Sequence, residues 1–478
     1  MNRNTIFGLL MIGAIFIGWS ILMQPSKEEL QEQKRKQDSI LRLRTEQQRI
    51  DSLANIKAEQ KAREILEKQQ AEKAAVVDSP EEIPEERQTQ TKDLQKFGDF
   101  SASAMQEDAF YTLENDLIKM KLSNQGGRVY SVELKKYQTY DSLPLILFDS
   151  DTSIFGFAFF NQSRALHTDD LYFQPHFEDG IIPDSKHLQV SGKDSLQFSM
   201  RLYPNGRDAA YNPDKYIEYL YTLYGDKYMV GFSVNLVGVN DLISTRLNTL
   251  DLEWQTNLRK QEQAVDRWNQ PTVYYMYSDE DVDYLSGGDE REEEALKTRV
   301  KWISYKQHFF AVSLVAGDYF ENADVASFVD PNPSSEEYLK SMYSVIGIPY
   351  NNQSYQSIPM SFYFGPLKYN ILKKYKLDLE KQIPLGWSFF LLAWINIYVV
   401  IPVFDFLGSF GWNYGIVILV LTVLLKIVLF PIAYKTYMSS AKMRALKPEI
   451  DEINKKYPKK EDAMKKQQAT MGLYKQAG

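Results

Sequence analysis

Hydrophobic and polar positions alternate with several different periods along this chain, and the changes of period divide it. Residues 5–23 (TIFGLLMIGAIFIGWSILM) form an unbroken apolar run, close to the ~20 residues a helix needs to cross a bilayer. The run is longer than the roughly 7–15 residues of a signal-peptide core, and Ile21-Leu22-Met23-Gln24-Pro25-Ser26 offers no small-x-small cleavage site. Residues 1–24 therefore read as an uncleaved signal anchor. Residues 26–75 contain no Gly or Pro and are rich in strong helix formers. Their apolar residues, from Leu43 to Leu66, drift around the helix without a sustained heptad, which points to a solvated spacer helix rather than a coiled coil. The polar, proline-containing residues 76–97 complete a spacer and linker over 25–97.

From about 98 to 366 the period becomes two. Ile118, Met120 and Leu122 alternate with polar residues, Asn124-Gln125-Gly126-Gly127 turns the chain, and Tyr130, Val132 and Leu134 resume the alternation. Ile217, Tyr219, Tyr221 and Leu223 repeat the pattern, turn at Gly225-Asp226, and continue as Val230, Phe232, Val234 and Leu236. Recurrent short alternating runs predict a large antiparallel β-sandwich. The acidic residues 289–296 (DEREEEAL) read as a solvated loop or short helix.

After Gly365-Pro366 the pattern is helical again, and 367–411 predicts amphipathic and interfacial helices. Residues 367–381 are basic and amphipathic. Residues 384–411 are apolar and aromatic but interrupted by Asn396, Pro402 and Asp405, so they are expected to rest on the membrane surface with Trp387 and Trp394 at headgroup level. Residues 412–434 predict a second spanning helix, and 435–478 a basic helical hairpin. Within that hairpin, helix is expected over 436–456, a break at Tyr457-Pro458, and helix again over 461–475.

Composition and charge sharpen this division. The chain has 478 residues, 44% of them apolar, and a net charge of −8. Residues 435–478 carry 11 Lys/Arg against 5 Asp/Glu, which leaves 24–383 strongly acidic. Short Lys/Arg-rich flanks stay on the cytoplasmic side, so Arg3, Lys435, Lys442, Arg444 and Lys447 place both ends inside and the sandwich outside. The absence of cysteine excludes disulfides, thiolate metal sites and a cysteine nucleophile.

The search for enzyme chemistry is nearly empty. There is no G-x-S-x-G elbow, Walker-A loop, dinucleotide glycine fingerprint or H-E-x-x-H pair, so no cofactor or metal is implied. His167, His176, His187 and His308 have no ligand spacing and read as structural or surface residues. Lys426 is the informative position: it lies inside an otherwise uncharged span, about 12 Å from its Tyr434 end at 1.5 Å per residue. A charge near mid-membrane costs about 2.5–3.5 kcal/mol even on insertion scales. It is expected to face water or a polar partner, although its stem could also snorkel to the inner headgroups. Pro431 removes one helical hydrogen bond and should bend the span. Met438, Met443, Met464 and Met471 give the basic tail adaptable contact surface.

Four stretches resemble the YidC membrane protein insertases of Gram-negative bacteria. They are Leu117–Val129 (LIKMKLSNQGGRV), Val300–Phe310 (VKWISYKQHFF), Phe364-Gly365-Pro366, and Lys426 through Pro431 followed by Tyr437–Arg444 and Pro448. The resemblance implies a periplasmic antiparallel β-sandwich among transmembrane α-helices, with a cytoplasmic helical hairpin. It implies a hydrophilic groove in the inner leaflet holding one basic residue. That residue is arginine in many members, and the matching position here is Lys426. It also implies Lys442, Met443 and Arg444 as hairpin contacts. The expected role is insertion and folding of membrane proteins in the cell inner membrane, alone or with the Sec translocon, SecYEG and SecDF. Nascent membrane proteins, the lipid bilayer and the ribosome are the implied partners, and no specific nucleic acid is. Because such insertases run on through further spans, the chain reads as an N-terminal portion, its hairpin incomplete. Two other classes remain at this point: a membrane-anchored carbohydrate-binding or sugar-modifying β-sandwich, and a scaffold that tethers complexes through residues 26–75.

Overall fold

The computed structural model describes residue 94 and residues 96–477, apart from 150–152, 178–184, 207–210, 245–247, 264–269, 280, 289, 330–337, 386–389 and 459–461. The expected signal anchor and the charged stretch 26–75 lie outside the described residues, as does Trp387.

Alternating sequences become strands almost throughout 110–366. The first are β1 (Phe110–Glu114), β2 (Ile118–Ser123), β3 (Val129–Gln138), β4 (Pro144–Asp149) and β5 (Ile154–Asn161). Next come β6 (Arg164–His167), β7 (Gln174–His176), β8 (His187–Gln189), β9 (Ser195–Leu202) and β10 (Tyr216–Tyr224). They are followed by β11 (Met229–Val237), β12 (Thr249–Arg259), β13 (Thr272–Tyr277), β14 (Val282–Tyr284) and β15 (Arg291–Leu296). The last are β16 (Val300–Lys306), β17 (Phe310–Phe320), β18 (Asn322–Phe328), β19 (Tyr338–Pro349) and β20 (Tyr355–Pro366). Among the described residues the largest sheet has the order β14-β13-β16-β17-β20-β11-β10-β9-β7. A second runs β15-β18-β19-β12-β5-β6 and a third β4-β3-β2-β1-β8. Neighbours pair antiparallel except β1 with β8.

Both predicted hairpins form. In the first, Ile118 faces Leu134 and Met120 faces Val132, and all four are buried. The turn needs its glycines: Gly126 and Gly127 have φ of 73° and 60°, and a Cβ on Gly127 would come within 2.8 Å of the Phe173 ring. In the second, Tyr219 opposes Val234 and Tyr221 opposes Phe232, again fully buried. One inward face thus carries aromatic and β-branched residues at every second position.

The two smaller sheets cover one face of the large sheet. From the second sheet, Trp254 stacks on Tyr305 at 3.9 Å, and Phe155 meets Phe232 and Phe362 at 5.4 and 5.3 Å. From the third, Tyr111 packs on Phe198 at 5.3 Å, and the Tyr221 hydroxyl donates to the Gly127 carbonyl at 2.8 Å. Such aromatic pairs contribute about 0.5–1.5 kcal/mol each beyond their burial. The expectation of an antiparallel sandwich holds.

The opposite face of the large sheet is closed by a strap, residues 367–383. The expected amphipathic helix over 367–381 is broken here. A single turn α1 (Tyr369–Leu372) passes into 3₁₀ turns at Lys373–Tyr375 and Leu379–Gln382, with Lys376 and Asp378 both at φ 55°. Buried polar anchors on the sheet impose that path. The Trp302 indole donates to the Leu377 carbonyl at 2.8 Å, Ser304 donates to Gln382 Oε1 at 2.7 Å, and Lys306 donates to the Gln382 carbonyl at 3.0 Å. A regular helix would turn these carbonyls along its own axis.

The acidic stretch also differs from expectation. Residues 291–296 form β15, an edge strand paired to β18, with Glu294 accepting from the Tyr275 hydroxyl at 2.6 Å. Edge positions tolerate charges on both faces, which hides the strand from a period-two reading.

Beyond the strap the chain is helical. α2 (Phe390–Ile395), a π turn at Asn396–Val400 and α3 (Ile401–Gly408) form one interrupted apolar helix. It precedes α4 (Tyr414–Ala445), α5 (Lys447–Lys456) and α6 (Ala463–Ala477). The helix expected over 436–456 is interrupted once. α4 continues to Ala445, and the break falls at Leu446, because Pro448 is favoured in a first helical turn and not within a helix.

Candidate functional site

The chemistry-bearing feature lies on α4. Its 32 residues span about 48 Å, more than the ~30 Å of bilayer hydrocarbon. It contains an apolar window of mean hydropathy 2.9, almost none of it buried in protein. Asn413 caps its start by accepting from the Gly415 amide at 2.8 Å. The last turn carries Lys442 and Arg444, which suit the negative end of the helix dipole.

Lys426 is exposed on this helix, about 18 Å from Tyr414. Its neighbours one turn away on the same face are Thr422, Val423, Leu429 and Phe430, all exposed. Thr422 donates to the Ile418 carbonyl at 2.7 Å, so its hydroxyl is satisfied within the helix. Lys426 has no hydrogen-bond or ion-pair partner among the described residues. Pro431 lies inside α4, which stays helical through it. Met443 and Arg444 are exposed in the last turns, as is Lys442. The arrangement presents one cation and a soft basic end on an apolar rod. It contains no nucleophile–base pair.

Elsewhere, titratable groups are tied into the fold. Glu218, on the large sheet, accepts from Ser199, Asn235 and Arg201 at 2.6, 2.7 and 2.8 Å. Burial pushes its carboxyl up, but these three bonds outweigh that and leave it below its ordinary value. His187 meets Glu114 at 2.9 Å on the surface, where Glu114 is also bonded by Lys135 at 2.6 Å. His308 stacks on Phe309 at 3.9 Å. Among the described residues no group of His, Asp and Glu is placed to hold a metal ion.

Two features escaped the reading of the sequence. Lys306 is half-buried beneath the strap against the Tyr274 ring, and desolvation pulls its ammonium down to about 8. An apolar cavity of about 650 Å³ lies where the strap, α3 and the first residue of α4 meet the sheet edge. Each depends on contacts between segments 30 or more residues apart, and no local pattern signals them.

A large β domain strapped to apolar helices, one bearing a cation within its apolar window, defines a membrane protein. Comparison with known proteins makes this specific. Residues 111–398 match the family model described as the YidC periplasmic domain, and 406–478 match that of the 60Kd inner membrane protein. A membrane protein insertase YidC of Parabacteroides distasonis is 37% identical over 100% of this chain and 70% of the relative. One from Bacteroides fragilis is 35% identical with the same coverage. Among solved structures, an active YidC insertase is 15% identical with a TM-score of 0.27, covering 79% of this chain and 67% of that one. A galactose mutarotase-like protein from Lactobacillus casei is 11% identical with a TM-score of 0.31, covering 54% and 100%.

The chain belongs to the YidC family of membrane protein insertases. It is a membrane insertase of the inner membrane, with nascent membrane proteins as its substrates, and is not an enzyme.

Proposed function

We propose that Lys426 is the cation of a hydrophilic groove through which this insertase receives its substrates. The observation that carries this reading is the isolation of Lys426 on α4, in an apolar window and without a partner among the described residues. Leaving a charge there has a cost of about 2.5–3.5 kcal/mol, which a water-filled groove removes. In that groove the ammonium attracts the acidic or polar end of an incoming segment, and the apolar part of the segment partitions sideways into lipid. Lysine supplies the charge without the fixed fork of a guanidinium, so the attraction is that of a point charge and tolerates varied substrates.

The basic flank of α4 supports a multi-pass topology with the sandwich in the periplasm and residues 435–477 in the cytoplasm. There α5 and α6 form a hairpin whose approach, with Lys442, Met443 and Arg444, meets nascent chains or the ribosome. Cooperation with the Sec translocon, SecYEG and SecDF, belongs to the same proposal. The test is complementation of insertase-depleted cells with the protein carrying Lys426→Glu or Lys426→Arg. K426E should impair insertion of substrates with acidic translocated tails by about tenfold or more, the equivalent of about 1.4 kcal/mol, while K426R retains it. Wild-type insertion by K426E would remove Lys426 from the mechanism.

A further inference from the structure

We infer that the cavity at the junction of sandwich and membrane helices holds one acyl chain of a phosphoethanolamine lipid, from the leaflet on the sandwich side. The cavity encloses about 650 Å³, within the range of specific small-molecule sites, roughly 300–1,000 Å³. Its walls are apolar. Tyr137 and Phe310 meet edge-to-face at 5.3 Å on the sandwich side, and Phe404 and Tyr414 stack at 6.0 Å on the helix side. Leu367 and Ile401 line it between them.

Its place in the bilayer identifies the occupant. Tyr414 lines the cavity and is also the first residue of the spanning helix. Around it, Trp394, Tyr398, Phe406, Phe410 and Trp412 are all exposed, and aromatic side chains of this kind collect at the headgroup level. The opening therefore lies at the membrane surface, where lipid is the apolar molecule at highest concentration.

The rim selects the headgroup. Lys368 and Asp405 both line the cavity, with Nζ 3.9 Å from Oδ1. Asp405 also accepts from the Asn370 amide through Oδ2. A pair this loose leaves Lys368 able to meet a phosphate and Asp405 able to accept from an ammonium. A zwitterion whose cation carries N–H donors satisfies both. A choline headgroup has no such donor, and a glycerol headgroup has no cation.

The inference requires that α4 crosses the bilayer, and it is independent of the role given to Lys426. The full chain is reconstituted in vesicles with trace phosphatidylethanolamine, phosphatidylcholine or phosphatidylglycerol bearing a photoactivatable acyl chain, and labelled peptides are mapped. Ethanolamine lipid should label 366–370 and 400–405 about tenfold more than choline lipid, a difference of about 1.4 kcal/mol. Labelling of 418–434 should not discriminate, and its presence checks separately that the helix is in the bilayer. Asp405→Asn should lower ethanolamine labelling of the rim peptides to the choline level. Ile401→Trp, which fills the cavity, should remove rim labelling by all three lipids. Equal rim labelling by the three lipids in the unmodified chain overturns the inference. So does an ethanolamine preference that survives Asp405→Asn, or a crosslink showing residues 5–23 in the cavity. If Ile401→Trp fails to fold, the near-isosteric Asp405→Asn decides alone.

Discussion

Lys306 shows how a single half-buried side chain makes the sandwich sensitive to pH. Its ammonium donates to the Gln382 carbonyl and lies 4.6 Å from the centre of the Tyr274 ring, and burial holds it near 8, well below its ordinary 10.5. Below pH 8 the folded protein must bury a charge that the unfolded chain leaves in water. Between about pH 8 and 10 the unfolded chain binds more protons at this site than the folded one, so stability rises with pH there. The rise should amount to about 2–3 kcal/mol. It should disappear in Lys306→Met, as read from urea midpoints of the two proteins at pH 7, 8, 9 and 10. An equal pH dependence in both would show that the strap leaves Lys306 solvated. Nothing around Lys306 in the sequence VKWISYKQHFF announces this, because the groups that cover it come from residue 274 and residue 382.

At the scale of elements, the strap is the part that decides how sandwich and membrane meet. It covers Trp302 and Tyr363, both fully buried, and places Leu372 and Leu379 in the core. Ending the chain at 366 would expose an apolar face and take the Leu377 carbonyl from the Trp302 indole. A piece covering 94–383 should therefore unfold cooperatively, and one covering 94–366 should melt at least several degrees lower or fail to fold, as measured by circular dichroism. Equal melting temperatures would make the strap a passive linker. The strand periods were legible wherever one face is buried and the other wet, as in β2, β3, β10 and β11. They were illegible in β15, an edge strand with charges on both faces, and in the strap, where tertiary hydrogen bonds override helix propensity.

On the scale of the whole molecule, charge and hydropathy act together. The acidic sandwich and the basic end of α4 sit at opposite ends of one apolar helix, so orientation follows from which end resists translocation. Replacing Lys435, Lys442, Arg444 and Lys447 by Gln should let a fraction of chains insert inverted. Protease added outside spheroplasts would then leave that fraction of sandwiches intact. Complete digestion would assign orientation to Arg3 and the first apolar run. The mid-span position of Lys426 was legible because it is a local anomaly, one charge in an apolar window. The lipid cavity was not, because it exists only once Tyr137, Leu367, Phe404 and Tyr414 are brought together.

By itself the sequence determined the sandwich, the apolar helix, the isolated cation and the family. Each is written in a period, a run or a motif that a few neighbouring residues carry, and hydrophobic burial enforces it locally. Only the tertiary structure decided the broken path of the strap, the partial burial of Lys306, the pairing of β15 and the cavity at the membrane surface. These depend on hydrogen bonds and contacts between residues far apart in the chain, whose energies outweigh local propensity by amounts no local pattern records.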